Sequence, residues 1–347
     1  MELWLLAALY IASLAASIYL VPRLAGSPRW RHVFYGSMAL IVAAIALAGL
    51  AVVAPLLFPV VWLTQALLGI RDYLVAFAVL AAASAFAMYM ASPYLINMFF
   101  SPRPDPELQK IVDAVSARLG GRVKAKAVVV EGPPNAFAYG NFHTGRYVAV
   151  TTGLLETASR DELEAVIGHE LGHHINKDMP IMTALGILPS IAYFTGVAAI
   201  HLGLADEERP SLLAVIYGVV MIVVSFVVQL LVLSFSRLRE YYADMHGAKA
   251  AGREAMMRAL AKIHKYYSQN PDALEKSLKT TGFKALFIYA LVNAAANPLI
   301  DITPDEMRRL MKQPTSLLEE ILSSHPPIPK RLNVLENLVF PHTSFFT

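Results

Sequence analysis

Five stretches of this chain contain no Asp, Glu, Lys or Arg: residues 3–22, 33–70, 73–102, 179–205 and 210–236. A helix needs about 20 apolar residues to cross about 30 Å of hydrocarbon, and each stretch reaches that length. The 29 basic and 26 acidic residues crowd into the remaining segments, at the ordinary soluble density of about one in four. The sequence therefore predicts a protein that is part membrane and part soluble, and argues against a simple globular enzyme. A net charge of only +3, with no dense basic run interleaved with aromatics, speaks against nucleic acid as a partner. The chain has no cysteine, so disulfides, thiolate metal sites and a cysteine nucleophile are excluded.

The first stretch lies between Glu2 and Arg23 and is long for a signal peptide, so it reads as a retained span. Pro55 and Pro59 should end a second span near residue 54 and leave 60–70 as an interfacial or re-entrant half-helix. Arg23, Arg29 and Arg31 follow the first span, whereas Asp206, Glu207, Glu208 and Arg209 join the fourth to the fifth. The positive-inside rule puts the first of these loops in the cytoplasm and the second outside. Five crossings of a cell membrane then bring residues 103–178 and 237–347 together on the cytoplasmic side. The expected architecture is an α+β integral membrane protein, mostly helical: a membrane region 1–102 with about three spans, a first catalytic part 103–178, a transmembrane hairpin 179–236, and a second catalytic part 237–347.

Within 103–178, Leu108, Ile111, Val112, Val115 and Leu119 recur at helical spacing and stop at Gly120 and Gly121. Two β-rich runs, 123–130 and 146–152, flank a segment rich in Pro, Asn and Gly at 134–140 that reads as a loop. Ser159 followed by Glu162 is a capping box that should start a helix running to about Asn176. Residues 285–300 are uncharged but short for a span, and they read as a buried or membrane-resting helix.

On the capped helix lies His169-Glu170-Leu171-Gly172-His173. Residues four apart share a helical face, so both imidazoles can reach one metal ion. Glu170 falls beside them, where it can take a proton from a water at the metal without being a ligand. Independent placement would give on the order of 0.01 such motifs in a chain of this composition, so chance explains it poorly. A tetrahedral zinc site, one ion per chain, needs one further protein ligand. Glu240 and Asp244, four apart just after the fifth span, offer one carboxylate for the metal and another to orient a histidine. His174 falls off the ligand face and reads as a packing or hydrogen-bonding residue.

His169-Glu170-Leu171-Gly172-His173 and Arg239-Glu240-Tyr241-Tyr242-Ala243-Asp244 occur here with Asn135-Ala136-Phe137-Ala138, Val148-Ala149-Val150-Thr151-Thr152-Gly153 and Ser324-His325-Pro326-Pro327. This combination, over about residues 100–340, resembles the HtpX-like membrane zinc metallopeptidases. The resemblance implies a gluzincin protease with His169, His173 and Glu240 binding zinc and Glu170 as catalytic base. It implies that Asp244 buttresses the metal site, and that Asp178 sits near the junction with the membrane. It further suggests that the strand 146–152, with Val148 and Val150, aligns an extended peptide by edge pairing. His325 and Arg331 match the family's C-terminal motif and become candidate donors to the oxyanion, with Asn135 contacting substrate backbone. The chain departs from the usual pattern in having three N-terminal spans rather than two. The CAAX prenyl proteases look similar in their motifs but enclose a larger multi-span chamber.

The spans and the motif together read as a membrane protease acting on polypeptides with the lipid bilayer as its surroundings, and the resemblance implies that misfolded or damaged membrane proteins are among its substrates. A metal transporter would place its ligands inside the charge-free segments, where only His201 occurs. A catalytically silent metal-binding scaffold would be expected to lose Glu170 or a ligand, and all are present.

Overall fold

The computed structural model describes residues 71–205, 210–269, 302–316, 320–321 and 323–338. The first two expected spans, the half-helix at 60–70 and the helix expected at 285–300 lie outside the described residues. These divide into two compact units, one formed by 71–89 with Pro180–Ser236 and the other by Met90–Met179 with the chain from Arg237 onward.

In the first unit, helix α1 (Arg71–Phe100) contributes its N-terminal part, α5 (Asp178–Leu204) nearly all its length and α6 (Leu212–Ala251) its first two thirds. Helices α5 and α6 are each long and apolar enough to cross a membrane. They meet at Gly196 and Gly218, where a Cβ on either would fall within 2.7 Å of the other's carbonyl oxygen. Ala192, Met221, Val224 and Val228 pack around that contact. Leu212, Leu213, Ile216, Val223 and Phe226 of α6 instead point outward and are half or more exposed. A continuous apolar surface of this kind suits lipid rather than water.

The second unit is built on a four-stranded sheet. Strands β1 (Arg103–Pro104), β2 (Lys126–Val130), β3 (Ala136–Asn141) and β4 (Gly145–Thr151) lie in the order β1-β2-β4-β3. β2 and β4 are parallel, while β3 and β4 form an antiparallel hairpin with Ala138 opposite Val148. Helix α2 (Pro106–Arg118) begins where Asp105 accepts a hydrogen bond from the Leu108 amide at 2.8 Å, and it ends before Gly120 and Gly121, both at positive φ. Its buried Leu108, Ile111, Val112 and Val115 pack with Val148 and Val150 of β4 and, beyond the short α3 (Thr152–Thr157), with Leu163, Val166, Ile167 and Leu171 of α4 (Arg160–Ile175). The other face of the sheet is covered by Ile96, Leu95 and Phe100 from the last turns of α1.

Two sequence expectations change here. The segment expected as a loop contains β3, because Ala136, Phe137, Ala138 and Tyr139 alternate their side chains between the two faces of the sheet. The edge pairing expected at Val148 and Val150 is not available: β4 is an interior strand with a partner on each side, and both side chains are fully buried. The outer edge on this side belongs to β3.

Candidate metal centre and active site

The capping box fixes the start of α4. The Ser159 amide donates to Glu162 Oε2 at 2.9 Å, and Glu162 also meets Arg258 and Lys262 of α7 (Arg253–Gln269). From that start, helical phase puts His169 and His173 on one face. Glycines let α6 approach the same helix closely, since a Cβ on Gly168 would lie 2.5 Å from Ala250 Cβ and one on Gly172 3.0 Å from His246 Cβ. That approach carries Glu240 and Asp244 to the two histidines.

His169 Nε2 and His173 Nε2 lie 3.2 Å apart, and the Glu240 carboxylate is 3.8 Å from each. The other ring nitrogens face acids. His169 Nδ1 is 2.9 Å from Asp244 Oδ1, and His173 Nδ1 is 2.6 Å from Asp178 Oδ2. A carboxylate can only accept, so an Nδ1 that faces one carries a proton, and the Nε2 of that ring can then give its lone pair to a cation in place of a second proton. Two imidazole nitrogens and a carboxylate converge on one point, an arrangement that suits a cation. Ligands about 2.0–2.1 Å from a tetrahedral ion lie roughly 3.4 Å from one another, which matches these separations. Four carboxylates, of Glu170, Glu240, Asp244 and Asp178, meet two guanidiniums, of Arg331 and Arg239. The acidic surplus is what a divalent ion would offset. The donor set of two imidazoles and one carboxylate fits zinc.

Electrostatics follow from burial and these contacts. Burial works against the charge of Glu240, yet His325, His173 and Arg331 together hold its carboxylate well below the usual range. Burial likewise opposes the charge of Asp244, and Arg331 with His169 lowers it. Burial disfavours a charged His173, but the Asp178 hydrogen bond and the nearby acids outweigh it and raise the metal-free imidazole to about 9. Glu170 moves the opposite way from Glu240. Desolvation pushes its carboxyl up, against the pull of His169 and His173, and Glu240 adds to the rise. Glu170 also accepts a hydrogen bond from the Ala138 amide on β3.

The remaining expected residues fall in different places. His174 points away from the cluster, with Nε2 2.9 Å from the Tyr147 carbonyl. Asn135 precedes β3 with its backbone tied to Thr151. His325 stands beside the metal position, its Nδ1 3.0 Å from Glu240 Oε2, and neither ring nitrogen completes an aligned hydrogen bond among the described residues. Arg331, on α9 (Ile328–Glu336), the helix after α8 (Pro304–Met311), is not turned to open space as the oxyanion donor expected from the sequence would be. Its guanidinium is buried and bound to Asp244 through two nitrogens, so it faces a carboxylate rather than open space.

Arg237 and Arg239 escaped the sequence reading. Buried Arg237 donates to the carbonyls of Ile321 and Ser323 at 3.2 and 2.8 Å, holding the segment that leads to His325. Arg239 sits 3.5 Å from Asp178. Two arginines just before Glu240, at the end of an uncharged stretch, are the available signal.

Comparison with known proteins supplies independent findings. Residues 102–339 match the model of Peptidase family M48. The chain is 52% identical over 340 residues to a protease HtpX homolog of Pyrobaculum calidifontis, covering 97% of this chain and 96% of that protein. It is 48% identical over 251 residues to a protease HtpX homolog of Archaeoglobus fulgidus, covering 72% and 73% respectively. Among solved structures, that of S. mikatae Ste24p aligns with a TM-score of 0.48 and 20% identity over 86% of this chain and 66% of that one.

Proposed function

The chain belongs to peptidase family M48 and is a metalloprotease, and from that premise we propose that it is a membrane-embedded zinc endopeptidase. The observation that carries the metal reading is the pair of Nε2 atoms 3.2 Å apart, with Glu240 facing both and each Nδ1 beside an acid. His169, His173 and Glu240 would hold the ion, which when bound supplies the positive charge that acidifies water and polarises a carbonyl.

Glu170 acts as general base. It takes the proton of the attacking water and later delivers it to the nitrogen of the leaving amine. Its raised pKa suits both halves of that shuttle, because the carboxylate takes the water's proton more readily than an ordinary one does, and the resulting acid can still give it to the more basic amine nitrogen. The Ala138 amide holds Glu170 against the outer edge of β3, so an extended peptide pairing with that edge would present its backbone beside the base. His325, whose Nε2 has no hydrogen-bond partner among the described residues, would offer that nitrogen's N–H to the developing oxyanion.

The exposed apolar faces of α5 and α6 support a place in the bilayer. The charge-free stretches support five spans of a cell membrane, and Arg23, Arg29 and Arg31 support a cytoplasmic catalytic unit. Substrates in this reading are membrane proteins with an accessible cytoplasmic segment, damaged ones included. The test is to measure zinc content and cleavage of such a substrate for the wild type and Glu170→Gln. Bound zinc in both, with turnover lost only in the variant, is expected. Wild-type turnover in Glu170→Gln overturns the assignment of the base, and cleavage of soluble peptides alone overturns the substrate class.

A further inference from the structure

Helix α4 ends and α5 begins within two residues because Lys177 adopts a left-handed φ of 58°. That corner turns Asp178, the first residue of α5, back onto His173 five residues upstream, with Oδ2 2.6 Å from Nδ1. Behind the carboxylate stands Arg239, its Nη1 3.5 Å from the same oxygen. The other imidazole has the same arrangement: His169 is backed by Asp244, and Asp244 by Arg331.

Stability alone explains Asp178 poorly. Its side chain is only 3% exposed, yet Oδ1 has no hydrogen-bond partner among the described residues. A buried carboxylate with one bare oxygen costs free energy. An imidazole without a partner on Nδ1 can instead carry its proton on Nε2, or swing about its side-chain torsions, and either change withdraws the lone pair from the metal position. A carboxylate fixed on Nδ1 prevents both.

We propose that Asp178, backed by Arg239, is the positioning residue of His173, holding the tautomer and ring orientation that aim Nε2 at the metal. The inference rests on the metal reading above. It makes the corner at Lys177, and so the start of α5, part of the metal site's frame.

The experiment is competition between Zn²⁺ and a chelating dye on the full chain in detergent, for wild type, Asp178→Asn, Asp178→Ala and Arg239→Met. Thermal unfolding of the metal-free proteins and the visible spectra of Co²⁺-loaded ones accompany it. Removing such a partner typically weakens metal binding about 10–100-fold. Asp178→Ala is expected near the upper end, Asp178→Asn near the lower, and Arg239→Met at a few-fold. Cobalt bands should shift in the Asp178 variants, and metal-free Asp178→Asn should unfold no more easily than wild type. Asp178→Asn nearly conserves shape, so it remains informative if the alanine variant fails to fold. Zinc affinity within twofold of wild type in folded Asp178 variants, or lost metal-free stability with unchanged affinity, overturns the proposal alone. A wild-type chain that binds no zinc overturns the metal reading together with it.

Discussion

Arg331 grips Asp244 with two hydrogen bonds, Nε to Oδ2 at 2.8 Å and Nη2 to Oδ1 at 2.5 Å, and both side chains are buried. The grip aims Asp244 at His169, so a residue near the C-terminal end of the described chain fixes a histidine on α4. Arg331→Met takes from a buried carboxylate its guanidinium partner and leaves it only His169, which should cost about 3–5 kcal/mol, while adding Asp244→Asn should recover a good part of that loss. Chemical unfolding of the two single variants and the double variant checks this. A loss below about 1 kcal/mol in Arg331→Met contradicts it.

The helix crossing yields a second prediction. Gly168→Ala sets a methyl 2.5 Å from Ala250 Cβ, so α4 and α6 must separate. Overpacking of this kind costs about 1–3 kcal/mol. Because α4 carries the histidines and α6 carries Glu240, zinc affinity should also fall more than tenfold. Gly186→Ala is the control, since nothing lies within 4 Å of a Cβ there; it should leave zinc binding unchanged. Equal zinc affinity in Gly168→Ala and wild type would show that the close crossing does not set the metal geometry.

Much of the site could be read in the sequence because it obeys local rules. The box of Ser159 and Glu162 fixes the phase of α4, and four-residue spacing then aligns His169 with His173 and Glu240 with Asp244. What escaped depends on non-local or unusual backbone geometry. Pro134, Asn135 and Gly140 mark a loop by composition, but pairing with β4 makes a strand of the residues among them. Asp178 reaches His173 only through the left-handed turn at Lys177, a conformation that lysine seldom signals. Arg331 looked free to donate because its partner Asp244 lies 87 residues away.

Acid should destabilise the catalytic unit through His174. Burial lowers its folded-state pKa to about 4, against the Tyr147 carbonyl hydrogen bond and Asp178, with His173 and Arg146 adding to the fall. The unfolded imidazole titrates near 6.5. Its contribution is therefore fully present above about pH 6.5 and is lost as the pH falls towards 4, since the unfolded chain takes up the proton first. About 2 kcal/mol should disappear between pH 7.5 and 5 on this account. His174→Gln keeps a donor for Tyr147 and cannot titrate, so its unfolding free energy should fall less over that interval. An undiminished pH slope in the variant would place the acid sensitivity elsewhere.

The edge of β3 gives the prediction closest to substrate. In an antiparallel pair, alternate residues turn both backbone polar groups toward the partner strand or away from it. Asn135 bonds with Thr151, whereas the Ala138 amide reaches Glu170. Ala136 therefore shares the outward phase of Ala138, and Phe137 and Tyr139 serve the ladder with β4. Ala136→Pro deletes one outward donor without breaking that ladder, so zinc binding should persist while KM for an extended peptide rises about tenfold and kcat changes little. Ala138→Pro deletes the donor to Glu170 as well, and its kcat should fall together with the rise in KM. Proline in the interior strand, at Val148, should disrupt folding rather than kinetics, because both of its neighbours need the ladder. Unchanged kinetics in Ala136→Pro would mean that substrate does not pair with this edge.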